Sequence, residues 1–103
     1  MTERLPSIQH AKQSWTPQQE LKTISLMGRL VEVAVARGKR TGQVYAKGIL
    51  EDITGSIDLI VFPQAYARLG DHFKAGNAVE VSGVLKGEER AVPKLVVESL
   101  STI

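Results

Sequence analysis

Arg37-Gly38-Lys39-Arg40-Thr41-Gly42 places three cations and two glycines in six residues, the densest positive charge in the chain. Guanidinium and ammonium groups set this close suit a run of anions such as phosphates, whose condensed counterions they displace. Tyr45 and Lys47 follow two residues apart, the spacing that puts side chains on one face of a β-strand. The tyrosine adds a π-face on which a flat ring can stack. Lys86, Arg90 and Lys94 form a second, looser group of cations. Together Arg37, Lys39, Arg40, Tyr45, Lys47, Lys86, Arg90 and Lys94 are the candidate nucleic-acid-binding residues.

Chemistry of other kinds finds little support. His10 and His72 are far apart, and there is no cysteine, so thiolate metal sites and disulfides are excluded. Glu51 and Asp52 are adjacent, and adjacent strand residues point to opposite faces; Asp52 suits the first position of a turn better than a metal site. Gly38 and Gly42 have neither the spacing nor the lysine-serine ending of a phosphate-binding loop. The domain is therefore expected to be no enzyme in itself, with no catalytic residues, no metal and no cofactor.

The elements that hold these residues follow from hydrophobic periodicity. From Gln43 to Phe62 two alternating runs flank Asp52-Ile53-Thr54-Gly55, the pattern of a β-hairpin. Val44, Ala46, Gly48 and Leu50 share one face of the first run, and Tyr45, Lys47, Ile49 and Glu51 the other. Beyond the turn, Ile57, Leu59 and Val61 face in, while Ser56, Asp58 and Ile60 face out. Upstream, Leu26, Gly28 and Leu30 alternate, and then Val31, Val33 and Val35 alternate out of phase by one. Such a slip marks a bulge or a sharp coil in a first strand. Pro63 to Lys74 has helical spacing at Ala65, Tyr66, Leu69 and Phe73, with Gly70 weakening its middle and Gly76 suited to end it. Phe62 and Tyr66 are expected where this helix meets the sheet, as structural aromatics. Asn77 to Lys86 and Pro93 to Leu100 give two more strands.

At 103 residues the chain has room for one domain with an arm. Residues 1–23 are the arm and 24–103 the domain. Thr16-Pro17 ahead of Gln18, Gln19 and Glu20 predicts a short helix in the arm, and Trp15 is expected to pack the arm onto the domain. The first ten residues lack the apolar stretch of a signal peptide, and no run is long enough to span a membrane. A cytoplasmic location is the default expectation. The net charge of +2 is uneven: five cations face three acids over residues 24–52, and three face four over 76–103.

The order β-β-β-α-β-β is that of an all-β, five-stranded OB-fold, a Greek-key barrel with one helix between strands three and four. The residues also resemble a family. Leu50-Glu51-Asp52, Thr54-Gly55 and Val61-Phe62-Pro63 with Ala65-Tyr66, together with the basic loop and Ala46, look like the OB-fold domain of the bacterial DNA polymerase III α subunit, of the tRNA-anticodon type. The likeness covers about residues 26–100. Two positions depart from it: Lys47 stands where those domains often carry phenylalanine, and Gly48 where they carry a bulky apolar residue. The resemblance implies a single-stranded DNA-binding module in or related to a replicative polymerase, and one outward aromatic with a small net charge predicts that binding is weak and without strong sequence preference. RNA or tRNA binding, or docking of other replication proteins through Ile49, Ile60 and Val84, are the alternatives.

Overall fold

The alternation on either side of Asp52 to Gly55 folds as the hairpin that its pattern predicts. The computed structural model describes residues 6–16, 23–87 and 92–103. Strands β2 (Val44–Asp52) and β3 (Gly55–Val61) pair antiparallel, from Ala46 opposite Val61 to Asp52 opposite Gly55. Ala46, Gly48, Leu50, Ile57, Leu59 and Val61 are buried, and the residues between them face outward.

The phase slip in the first strand is a bulge. β1 (Thr23–Arg37) shifts register between Leu30 and Glu32, which leaves Val31 as the extra residue. Before the bulge β1 pairs with β4 (Ala78–Lys86), and beyond it with β2. At the switch, Leu30 donates its N–H to Asn77 O at 2.9 Å and accepts from Gly76 N at 2.6 Å. The turn before β4 thus satisfies the backbone that the bulge leaves unpaired. β5 (Lys94–Thr102) pairs antiparallel with β4 and meets β3 in a short parallel seam, Leu59 with Leu95 and Ile60 with Val96. The barrel closes in the order β1-β2-β3-β5-β4. With α2 (Pro63–Leu69) between β3 and β4, this is the OB-fold.

Leu26, Leu30, Leu50, Leu59, Val79, Val81 and Leu95 fill the barrel. Gly48 faces the same interior, and a Cβ there would lie 2.7 Å from Phe73 Cζ and 2.9 Å from the Glu32 carbonyl oxygen. The ring of Phe73, itself buried, takes the volume that a bulky side chain at 48 would fill. This accounts for the departure at Gly48. The helix carrying Tyr66 is shorter than its periodicity suggests. It stops at Leu69, Gly70 forms its C-cap, and Phe73 reaches the core from the turn beyond. Gly76, expected to end the helix, instead sits at φ 96° in that turn.

The arm holds a helix at a different place from the expected one. α1 (Ile8–Ser14) begins at Ser7, whose Oγ accepts from His10 N at 3.2 Å. The segment after Thr16-Pro17 lies outside the described residues. Ile8 and Ala11 are buried in the main core, and Trp15 packs against it. The hairpin turn receives the helix: Asp52 Oδ2 accepts from Ile8 N at 2.9 Å, and Thr54 Oγ1 accepts from Gln9 N at 3.1 Å. Lys12 Nζ donates to Ser56 O at 2.8 Å. The other Asp52 oxygen closes the turn itself, accepting from the Thr54 amide, the Thr54 hydroxyl and the Gly55 amide. Burial pushes the Asp52 carboxyl up, but the hydrogen bonds from Ile8, Thr54 and Gly55 outweigh it and hold the group below the usual carboxylate value.

Candidate nucleic-acid interface

Residues opposite one another in a ladder share a face, so the strand registers lay out the barrel's outer surface row by row. Ala34, Lys47, Ile60 and Val96 form a row across β1, β2, β3 and β5. Glu32, Ile49 and Asp58 form the next row toward the hairpin tip. On the other side, Ala36 stands opposite Tyr45, and Phe62 follows Val61 one step beyond the Ala46–Val61 pair. The face therefore grades from aromatic through basic to acidic.

Two clefts lie along this face. One, of about 400 Å³, is lined by Glu32, Lys47, Gly48, Ile49, Asp58, Ile60 and Lys94, among others. A second, of about 390 Å³, is lined by Gly38, Thr41, Gln43, Tyr45, Lys47, Ile60, Phe62 and Pro63. Lys47 and Ile60 belong to both, so the clefts make one groove with a lysine at its midpoint.

The basic loop forms one wall. Gly38 N donates to Gln43 O at 2.8 Å, Gly42 N to Gly38 O at 2.9 Å, and Gln43 N to Thr41 Oγ1 at 3.2 Å. Gly42 sits at φ 69°, a left-handed turn position that glycine adopts without strain. Arg37 is drawn into this scaffold, its Nη1 donating to Gly42 O at 2.8 Å. It stands opposite Val44, in the row that alternates away from Tyr45. Lys39 and Arg40 are exposed at the loop's tip. At the far side Lys86 and Lys94 face one another directly across β4 and β5. Like charges so placed disfavour the sheet locally, and an anion between them relieves the repulsion. Arg90 lies outside the described residues.

Of the predicted set, Tyr45, Lys47 and Lys94 line the groove, Lys39 and Arg40 are exposed between Gly38 and Thr41, which line it, and Lys86 stands beside Lys94. Phe62 is the main correction. It was expected in the structural layer with Tyr66, yet it is 50% exposed and lines the groove, while Tyr66 does pack on the core. The reason is local: Phe62 keeps extended backbone, φ −70° and ψ 163°, so the alternation of β3 runs one residue further before Pro63 starts the helix. Counting by twos from Ile57 through Val61 puts Phe62 outside. Thr41, Gln43 and Glu32 also line the groove and carried no signal beyond their neighbours in sequence.

Comparison with known proteins agrees with the architecture. The chain is 36% identical over 62 residues to the DNA polymerase III subunit alpha of Borreliella burgdorferi, an aligned region that takes in 60% of this chain and 5% of that protein. The likeness expected from the hairpin motifs is thus present, over a small part of a much longer relative. Asparaginyl-tRNA synthetase from Pyrococcus horikoshii has a similar fold, with TM-score 0.70 and 22% identity over 96% of this chain and 23% of that one. The SSB domain of a Synechococcus protein superposes with TM-score 0.65 and 14% identity, over 76% of this chain and 91% of that chain. Residues 24–103 match the family described as OB-fold nucleic acid binding domain. On that match, the chain belongs to the family of OB-fold nucleic-acid-binding domains.

Proposed function

We propose that this domain binds single-stranded DNA, weakly and with little sequence preference, as a non-catalytic module in or related to a cytoplasmic replicative polymerase. The observation that carries the reading is the pair of adjoining clefts across β2 and β3, with Lys47 common to both, Lys94 lining one and the loop that bears Lys39 and Arg40 walling the other. The sequence likeness to a polymerase subunit supports DNA as the ligand over RNA. Lys39, Arg40, Lys47 and Lys94 neutralise phosphates, with Lys86 adding to the far wall and Arg90 belonging to the same set of cations, and Tyr45 stacks a base. Arg37 supports the loop that presents Lys39 and Arg40. Glu32 and Asp58 oppose phosphate at the hairpin end, which keeps affinity modest. Docking of a partner protein through Ile49, Ile60 and Val84 is less favoured, because all three are partly buried by their own sheet.

A titration of labelled single-stranded DNA, its RNA counterpart and the duplex, at two salt concentrations, tests this. Single-stranded DNA should bind most tightly, in the micromolar range. Replacing Lys39 and Arg40 together with glutamate should abolish binding and leave the melting temperature nearly unchanged, because exposed charges contribute little to stability. Neutral replacement of either should flatten the salt dependence by about 0.7 per lost contact. If the double glutamate variant binds at low salt as well as the parent, the nucleic-acid reading fails.

A further inference from the structure

Trp15, the only tryptophan, caps the C-terminal end of α1 and lines neither cleft of the outer face. It lines a separate cavity of about 190 Å³ together with Ile24 of β1 and Leu85 of β4, among others. A Cβ on Gly87 would lie 3.3 Å from Trp15 Cη2 and 3.1 Å from Pro93 Cα, so the far edge of the ring abuts the point where the chain leaves β4 and approaches β5. Gly87 and Pro93 stand one step beyond the Lys86–Lys94 pair, at the neck of this ladder. Two features weaken the neck. The lysines repel one another across it, and Pro93 has no N–H to donate to a further rung. Pro93 is nonetheless buried. The Trp15 Nε1 is buried too and has no hydrogen-bond partner among the described residues, so packing alone keeps the ring in place.

We infer that Trp15 is a positioning residue for the far cations: set against the neck at Gly87 and Pro93, it holds the ends of β4 and β5 together so that Lys86 and Lys94 meet a phosphate as a pair. The inference rests on the proposed single-strand binding and adds to it a role for the arm, which lies outside the family match. The ring has an independent support. Bonds to Asp52, Thr54 and Ser56 fix α1 to the β2–β3 hairpin, and Trp15 follows α1 directly. It is therefore braced on one hairpin while it packs against another. Gly87 has no side chain to take over the contact when the ring is removed. The neck is then free to open, and mutual repulsion drives the two ammonium groups apart.

The test measures binding of a labelled single-stranded oligodeoxynucleotide over a range of salt concentrations, at a temperature where circular dichroism shows each variant folded. Trp15→Leu keeps apolar bulk on the core, which guards against loss of fold, but lacks the far edge of the ring. It should flatten the salt slope by about 0.7 to 1.4, the loss of one or two phosphate contacts. In a chain that already carries Lys86→Gln and Lys94→Gln, Trp15→Leu should change neither affinity nor slope further, because the cations it positions are gone. A parent-like slope in Trp15→Leu overturns the inference. So does an equal loss with and without the two lysines, the mark of a general structural defect. If the parent binds and the two-lysine variant keeps the parent slope, the far cations meet no phosphate; the inference falls while the rest of the groove stands. If the parent binds no single strand, the groove reading fails and takes the inference with it.

Discussion

At Asp52 one carboxylate joins segments 44 residues apart, closing the hairpin turn with one oxygen and holding the first amide of α1 with the other. Asp52→Ala removes acceptors from partly buried backbone donors and should cost about 1–3 kcal/mol, read as a lower urea midpoint. The depressed pKa sets a direction with pH. A carboxyl titrating lower in the folded than in the unfolded chain stabilises above its unfolded value, near 3.9, and that contribution disappears as pH falls through the folded value. The parent should therefore lose more stability than Asp52→Ala between about pH 5 and the acid limit, and parallel pH profiles would show that the bonds seen here do not hold in solution. Phe62 shows how a single residue can be misplaced by its company. Its neighbours Pro63 and Tyr66 belong to the helix that plugs the barrel, and the family motif binds the three together. The period-two count alone places it correctly.

Gly48 and Phe73 link two elements through a shared volume. Gly48→Ala should destabilise by about 1–3 kcal/mol, since the added methyl meets both a ring and a fixed carbonyl. Combined with Phe73→Leu, the loss should be smaller than the sum of the single losses, because the smaller side chain vacates the contested space; strict additivity in denaturant melts would argue against the contact. Elements with a strong periodic signal were legible in advance. Both faces of the hairpin, the bulge at Val31 and the inward face of β4 follow from counting alone. The helix α1 was not legible, for a physical reason. It spans seven residues, buries only Ile8 and Ala11, and is held by bonds to a turn distant in sequence. No local pattern encodes such a dock. The length of α2 was half legible: Gly70 gave the weak point, but the approach of Phe73 from outside the helix depends on the hole at Gly48.

For the molecule as a whole, the question is how far the barrel depends on its arm. Residues 24–103 carry the family match, yet Ile8 and Ala11 lie in the same core as Leu26 and Leu50. A chain beginning at Lys22 should still unfold cooperatively but be less stable by about 2–4 kcal/mol, from the lost burial of Ile8 and the bonds at Asp52 and Ser56. Loss of the cooperative transition would make the arm an integral part of the domain. The candidate site was legible as a set of residue types, and the registers sorted it. They separated Arg37, which braces its loop, from Lys39 and Arg40 at the tip, and they showed Lys86 and Lys94 as a facing pair. Sequence order alone carries no information on such pairings across β4 and β5.

The barrel's parallel seam has a consequence for its motions. Two residue pairs join β3 to β5, whereas every other ladder is longer, so the cylinder is fastened most lightly along this line. Transient opening should begin there, and backbone amides of Ile60 and Val96 should exchange hydrogen for deuterium faster than those at the centre of β2. A strand held by Lys47 on β2 and Lys94 on β5 would cross the seam and act as a suture. Saturating single-stranded DNA should then slow exchange at Ile60 and Val96 more than at the β1–β4 ladder, so that the ligand tightens the barrel that binds it.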